Sequence, residues 1–574
     1  MAKALKAPWY GVYHGIRKHL RYPNCSLYAR VAESAKKFPD RPALNYFGRD
    51  ITYLELMERI DDVTRSLLSY GVGEGDVITI CMPNTPEAIA MIYAANRVGA
   101  ISSMIHPLSA EKEIQHYLEI SNSKIMLTID MALEKVENII SNTRVKKVIV
   151  AGAGSSMPIV QKNAYKYIVA RGQKKTVESN RFTTWKKFIQ RGIDTPIKIP
   201  AKVQGRDVAA ILYSGGTTGE PKGILLTNNA INATTVQGFE FIGDVDENDS
   251  LLAILPIFHG FGLGICIHMV LTIGACSILI PQFKVDTFHR LLNKYEPTVM
   301  IGVPTLFEAL LKNKHMKKID LSYLRYIISG GDALSSELKR RVDQFLHEHG
   351  CFEQVREGYG MTESVSAVAL MPAGEYRDDS IGVPFPDNYI KIVQPYTQNE
   401  MAYGQIGEIC ITGPSLMLGY LNDPDETEKV LQRHSDGHTW LHSGDLATMD
   451  EDGFIYFKQR LKRMIVSSGY NVYPQYIERI INSYEGVLIS TVIGVPHPYK
   501  GMAVKAFVVT VDGVNVNERF KKGLRDHCKQ SLAKYEMPAQ FVFRKSLPKT
   551  LIGKINFRQL EEEETGQTAS QEDS

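Results

Sequence analysis

Short apolar runs alternate with amphipathic helical stretches through most of this chain, and that alternation constrains the fold more than any other feature. Strand-like runs fall at 77–81, 124–128, 147–150, 209–213, 277–280, 299–302 and 326–329, each bounded by turn residues. Helical patterns lie among them, at 53–69, 86–98, 285–294 and 337–346. Parallel strands need a long crossover, usually a helix, so this order of elements predicts wound α/β architecture. No internal repeat is present.

Past Gly382 the texture changes to short strands and turns, at 389–393, 407–412 and 453–457. A last unit begins near Arg460, with helix 476–482, strands 488–494 and 504–510, helix 516–532 and strand 540–543. The expected class is therefore α/β, with a large N-terminal body of wound sheets over 1–459. A small α+β domain over 460–560 and a disordered acidic tail over 561–574 complete it.

Composition excludes several classes. The 574 residues are 44% hydrophobic and 22% charged, which is globular. Sixty-six basic against 63 acidic residues are too balanced for a dedicated nucleic-acid binder. The seven cysteines are scattered without a CxxC, which excludes a disulfide framework and reads as reduced thiols in a cytoplasmic enzyme. The most apolar stretch, 265–281, is interrupted by His268 and Gly274 and is too short to span a bilayer.

Two segments leave a peripheral membrane contact open. In 1–22, Trp9, Tyr10 and Tyr13 stand beside Arg17, Lys18 and Arg21; they either rest on a membrane or pack on their own domain. From 161 to 191 the only acidic residue is Glu178, against nine lysines and arginines, with Tyr165, Tyr167, Ile168 and Val169 interleaved. This is either a solvated insertion or a contact with anionic headgroups.

The most informative segment is 209–227, AAILYSGGTTGEPKGILLT. A strand ends at Tyr213 and runs into Ser214, Gly215, Gly216, Thr217, Thr218 and Gly219, followed by Pro221, Lys222 and Gly223. The glycines let backbone N–H groups approach a phosphate, the hydroxyls add donors, and Lys222 adds a point charge. It is not a Walker loop, because Lys222 leads into Gly223 and a strand. In 357–364, EGYGMTES, the Glu363 carboxylate lies beside the Thr362 hydroxyl. Such a pair suits Mg²⁺, although a lone Thr-Glu is more often a helix cap.

With LHSGD (441–445), RLKRMIVSSGYNVYP (460–474) and LPKTLIGKI (547–555) following in order, the chain resembles the AMP-forming acyl-CoA synthetases of the adenylating superfamily over nearly its whole length. It departs at Ser214-Gly215-Gly216, where the superfamily usually has Thr-Ser-Gly; the Gly-Gly form is similar to that of long-chain fatty-acid members. The resemblance implies a two-step ligase using ATP and CoA as cosubstrates with Mg²⁺ on Glu363. It implies that the 214–222 loop, Gly331, Asp332, Gly358, Tyr359 and Thr362 bind ATP or AMP. Asp445 would take the ribose hydroxyls, supported by Arg460. Thr218, Glu363, Lys462 and Lys554 are the implied catalytic set, with Lys462 as the pivot of a mobile small domain that brings and withdraws Lys554. Ser468, Gly469 and Tyr470 would then face CoA.

His259, Gly260, Phe261 and Gly262 match the position where the family shapes its acyl pocket; a buried structural histidine is the alternative. The apolar stretches 262–280 and 302–311 fit an acyl tunnel or plain core equally well. His434, His438 and His442 fall at i, i+4, i+8, but Asp436 and Gly437 would break a helix between them. GVGEGD, 71–76, precedes a strand and so reads as a turn. The Gly-Gly loop and the basic segments lean toward medium- or long-chain fatty acids. An aryl or other carboxylate, and a carrier protein as acceptor, stay open. All expected partners are small molecules, apart from the membrane surface.

Overall fold

The computed structural model describes residues 4–168, 178–199, 202–214, 221–467, 470–497, 501–511, 513–549 and 555–572. The chain divides into two compact units. One comprises 1–390, 411–441 and 452–454, and the other 391–410, 442–451 and 455–574.

The first unit holds two large sheets. In the nine-stranded one the order is Val383–Pro384, Ala367–Leu370, Val355–Gly360, Tyr326–Ser329, Val299–Gly302, Ser250–Ala253, Cys276–Leu279, Pro42–Tyr46 and Arg49–Thr52. Pairing is parallel from Val355–Gly360 to Pro42–Tyr46 and antiparallel at both edges. The eight-stranded sheet runs Gly419–Tyr420, Lys222–Thr227, Val208–Ser214, Ile101–Met104, Val77–Cys81, Ile125–Ile129, Lys147–Ala151 and Phe182–Thr184. It is parallel from Val208–Ser214 onward. Strands covered on both faces read as continuous apolar runs, which is why they were visible in the sequence. GVGEGD is the expected turn, with Gly71 and Gly75 both at positive φ.

Local signals set the helix starts. Ser26, Thr52, Thr85, Thr227 and Ser335 each accept a backbone N–H as N-cap side chains. Asn84, buried at the end of Val77–Cys81, donates to the carbonyls of Ala253 and Leu255 and accepts from Ile257 N–H. It thereby ties the carboxyl end of one sheet to that of the other.

The N-terminal arm packs on its own unit. Trp9 and Tyr13 are 1% and 2% exposed; Tyr13 donates to Pro384 O at 2.7 Å and stands edge-on to Phe241. Arg17 pairs with Glu240 and Tyr22 donates to Asp387. Trp9 and Tyr13 are thus spent on burial inside the protein, which overturns their reading as a membrane contact.

In the second unit, Gly501–Thr510 lies between Ile465–Ser467 and the long antiparallel partner Val487–His497, with Gln540–Phe543 added in parallel. Period-two alternation divides its core. Val504, Ala506 and Val508 face a cluster with Ile477, Ile481, Leu524 and Cys528 of helices Pro474–Asn482 and Glu518–Ser531. Phe507 and Val509 face Ile493, Leu547 and Leu560.

A helix runs into the segment expected as a tail, and Leu560, one residue before 561, anchors it. Leu560 belongs to helix Phe557–Glu572 and is fully buried, while Glu563 and Glu564 pair with Arg544 and Lys505. One apolar anchor with two ion pairs carries the helix past 561, where a run of acids alone predicts disorder.

Candidate active site

Strands Val208–Ser214 and Lys222–Thr227 pair antiparallel with Ser214 opposite Lys222, so these two residues stand at the mouth of the Gly-rich loop. Gly215, Gly216, Thr217, Thr218 and Gly219 lie outside the described residues. Lys222 Nζ is 2.5 Å from Glu426 Oε1 and 5.2 Å from the centre of the Tyr420 ring. The hydrogen bond from Lys222 holds the Glu426 carboxyl below the usual carboxylate range. Tyr420 reaches this place because Gly419–Tyr420 pairs with the strand of Lys222, Tyr420 opposite Ile224.

The Tyr420 hydroxyl donates to Glu363 Oε1 at 3.1 Å. Burial, then the neighbouring Glu363 charge, pushes the phenol pKa up, so it remains a donor. Glu363 sits on the single turn Thr362–Ser364, is 8% exposed, and its carbonyl accepts Met417 N–H at 2.8 Å. Two carboxylates, a lysine and a phenol are thereby gathered beside the loop.

Close backbone packing joins further segments to this turn. Val365 has φ +65, strained for a β-branched residue, and a Cβ on Gly260 would sit 1.5 Å from its carbonyl oxygen. A Cβ on Gly262 would meet Pro256 O at 2.0 Å. The Phe261 ring lies against Gly330, whose Cβ would be 3.2 Å from it and 3.4 Å from Gly358 O. His259 is half-buried, its ring centroid 5.0 Å from that of Phe258. The chain then enters a π-helix, Phe261–Met269, whose residues from Gly262 on are buried. Most of 262–280 is buried, as either core or the wall of an acyl tunnel would be. His268 bridges Tyr93 (3.0 Å) and Asn232 (2.9 Å), and burial pushes its pKa down to about 3.

Ser329 and Glu357 are register partners in parallel strands, so Gly330, Gly331 and Asp332 emerge beside Gly358 and Tyr359. Gly331 has φ +79, and Asp332 accepts Ala333 N–H. Glu357 accepts Leu334 N–H at 3.0 Å, which pins this turn to the neighbouring strand; burial pushes its carboxyl up to about 8. Ligands in wound sheets bind outside the carboxyl ends of the strands, and these segments lie there.

The second unit carries the other implied residues. Asp445 is 1% exposed, and Arg460, its register partner, places Nε 3.0 Å from its Oδ1. Lys462 is exposed on the short turn Leu461–Arg463 directly after strand Ile455–Arg460. Ser468, Gly469 and Lys554 lie outside the described residues; Tyr470 opens the strand Tyr470–Val472. His434 and His438 pair across a hairpin turn, His434 N–H to His438 O at 2.9 Å with Gly437 at φ +86, so the three histidines do not line one helix face.

Tyr420, Glu426 and the bonding of Glu357 were not read from sequence. Asp423, the N-cap before Pro424, signals a helix start near Glu426, but no spacing links it to Lys222. Glu363 is a buried carboxylate oriented by the Tyr420 hydroxyl, and its hard oxygen fits Mg²⁺.

Residues 31–421 match the model of the AMP-binding enzymes, and 476–554 that of the AMP-binding enzyme C-terminal domain. The chain is 32% identical to a long-chain-fatty-acid–CoA ligase of Bacillus subtilis, covering 97% of this chain and 98% of that protein. It is 32% identical to one from Salmonella typhimurium, over 94% and 95% of the two chains. Among solved structures, ATP-bound MatB from Rhodopseudomonas palustris is similar, with TM-score 0.81 and 26% identity over 94% of this chain and 99% of that one. A site of converging glycine turns, a lysine at a loop mouth and a family match over more than half the length agree, and the chain belongs to the AMP-binding enzymes.

Proposed function

We propose that this chain is an ATP-dependent acid–thiol ligase that joins a medium- or long-chain fatty acid to coenzyme A through an acyl adenylate. The observation that carries the reading is the Glu363–Tyr420–Lys222–Glu426 constellation at the mouth of the Gly-rich loop. The names of the Bacillus and Salmonella relatives support the fatty-acid substrate.

In the first step a carboxylate oxygen bonds to the α-phosphorus of ATP as the bond to the β-phosphate breaks, releasing pyrophosphate. Both reactants are anionic, so positioning and cationic stabilisation should dominate. Lys222 and the loop N–H groups would hold phosphate oxygens, and Asp445 would accept the ribose hydroxyls. Mg²⁺, held by Glu363, would supply positive charge to the phosphates. In the second step the CoA sulfur, its thiol proton lost, bonds to the acyl carbon and AMP departs. The turn at Lys462 is a short element-terminal segment of the kind that absorbs hinge rotation. This supports a body over 1–459 and a small domain over 460–560 that turns between the steps, with Lys554 serving the first and 468–470 the second.

A peripheral contact with anionic lipid through 161–191 belongs to the same reading. Ile159 and Val160, each 78% exposed, precede this basic stretch on helix Ile159–Ile168. Among the described residues no helix is long and apolar enough to cross a membrane.

The test is pyrophosphate release from ATP, with and without CoA, across a panel of fatty, aryl and short carboxylates. Release that depends on a fatty acid, with thioester formed only when CoA is present, is expected. Preference for an aryl acid, or acyl transfer only to a carrier protein, would replace this substrate reading.

A further inference from the structure

Asp445 lies within strand Thr439–Met449, directly after Gly444, and three bonds from a neighbouring strand hold residues 442–444. Glu408, on strand Gly407–Thr412, is 5% exposed and uses both carboxylate oxygens. Oε1 accepts Gly444 N–H at 2.9 Å, and Oε2 is 2.9 Å from His442 Nδ1. The next residue on that strand, Ile409, accepts the Ser443 hydroxyl through its carbonyl at 2.7 Å, and Ser443 Oγ in turn accepts Asp445 N–H at 3.1 Å.

Each bond answers a local need. A buried carboxylate is costly unless hydrogen-bonded, and the amide and the imidazole offset that cost. Gly444 has φ +68 with nothing within 4 Å of a Cβ position, so its glycine is required by backbone conformation alone. A glycine at this point of the strand has many backbone alternatives once its N–H loses its acceptor. Glu408 therefore selects the conformation that sets the direction of the Asp445 carboxylate toward Arg460.

The geometry points to Glu408 as a positioning residue for Asp445: it grips His442 and Gly444, three residues and one residue before it, and so fixes how Asp445 meets the ribose hydroxyls of ATP. This rests on the proposed ribose role of Asp445, and the experiment separates the two. Glu408 touches no substrate and acts only through residues 442–444 of the strand.

The readout is the preference in kcat/KM for ATP over 3′-deoxy-ATP and 2′-deoxy-ATP in pyrophosphate release, measured on the full chain. A hydroxyl bonded to a carboxylate should give the parent a preference of about tenfold or more. Asp445→Ala should reduce the preference toward one; if the preference survives, the ribose reading of Asp445 is wrong. Glu408→Leu should also collapse it, because the preference needs a correctly directed carboxylate, whereas a merely structural loss would lower both nucleotides equally and leave the ratio intact. Glu408→Gln should restore most of it, since the amide oxygen still accepts Gly444 N–H and the other tautomer of His442 accepts the amide N–H. Glu408→Asp, which keeps the charge but is one methylene too short to hold both partners, gives the same test should the leucine variant fail to fold. An unchanged ratio in Glu408→Leu or Glu408→Asp, alongside a collapsed ratio in Asp445→Ala, would overturn the positioning role alone.

Discussion

Tyr420 donates its hydroxyl to Glu363 across 57 residues of sequence, at 3.1 Å. This bond orients the carboxylate proposed to hold Mg²⁺, and its removal should be felt in metal-dependent chemistry before it is felt in folding. Tyr420→Phe is expected to lower kcat/KM for Mg·ATP about tenfold and to raise the Mg²⁺ needed for half-maximal pyrophosphate release, from loss of one bond to a charged group. Glu363→Gln should cost more, with little change in thermal midpoint. Undiminished release by Glu363→Gln at saturating Mg²⁺ would remove that residue from the metal role.

Glu357 makes stability depend on pH. Its carboxyl is pushed by burial from an ordinary 4.5 to about 8. Between these values the folded chain keeps a proton that the unfolded chain has released, so this residue's contribution is greatest below about 4.5 and is lost as pH rises toward 8. Glu357→Gln, which still accepts Leu334 N–H and never ionises, should escape the loss. Its advantage should be near zero at acid pH and grow to roughly 2–4 kcal/mol on the alkaline side. Unfolding midpoints of parent and variant from pH 5 to 9 provide the check, and a flat difference would show that Glu357 ionises normally.

The two half-reactions should separate at Lys554 and Lys462. Lys554→Ala is expected to lower acyl-AMP formation by about 10²–10³, typical for loss of a group facing developing charge. It should spare thioester formation from synthetic acyl-AMP and CoA. Lys462→Pro should do the reverse, because a fixed φ on the Leu461–Arg463 turn obstructs rotation. Quenched-flow measurement of each step on both variants decides the matter; equal impairment of both steps by Lys554→Ala would refute domain alternation.

Charge reversal at Lys174 and Lys175 should weaken binding to anionic vesicles, with added salt acting in the same direction. Replacing the exposed Ile159 and Val160 by serine should do so without the salt dependence. Turnover of a short soluble acid should stay at the parent level. Equal vesicle binding at low salt by parent and charge-reversed chain would return the stretch to a solvated insertion.

What was legible followed from burial. Runs such as Val77–Cys81 and Val299–Gly302 are covered on both faces, and covering both faces leaves a continuous apolar signature. Glycine-rich turns were legible because Gly331 and its like are demanded by backbone shape. The Glu363–Tyr420 bond was not, since Gly419–Tyr420 is a two-residue strand with no periodicity to read. Glu408 was hidden for a similar reason: within its strand it looks like an ordinary charged residue, and only the fold brings Gly444 to it. Trp9 and Tyr13 beside basic residues gave a composition that suits a membrane surface and a protein groove alike, and only Pro384 and Phe241 decide between them.

Gly260 packs directly against the Val365 carbonyl. The family resemblance implies that 259–262 shape the acyl pocket, and Val365 follows Glu363 by two residues, so in that reading one close packing serves both sites. Any laboratory evolution of chain-length preference that randomises 259–262 would therefore also be selecting, unseen, on nucleotide use. Libraries that hold Gly260 and Gly262 fixed and vary His259 and Phe261 should keep the two traits separable, while those that free the glycines should return mostly inactive clones whatever acid is offered.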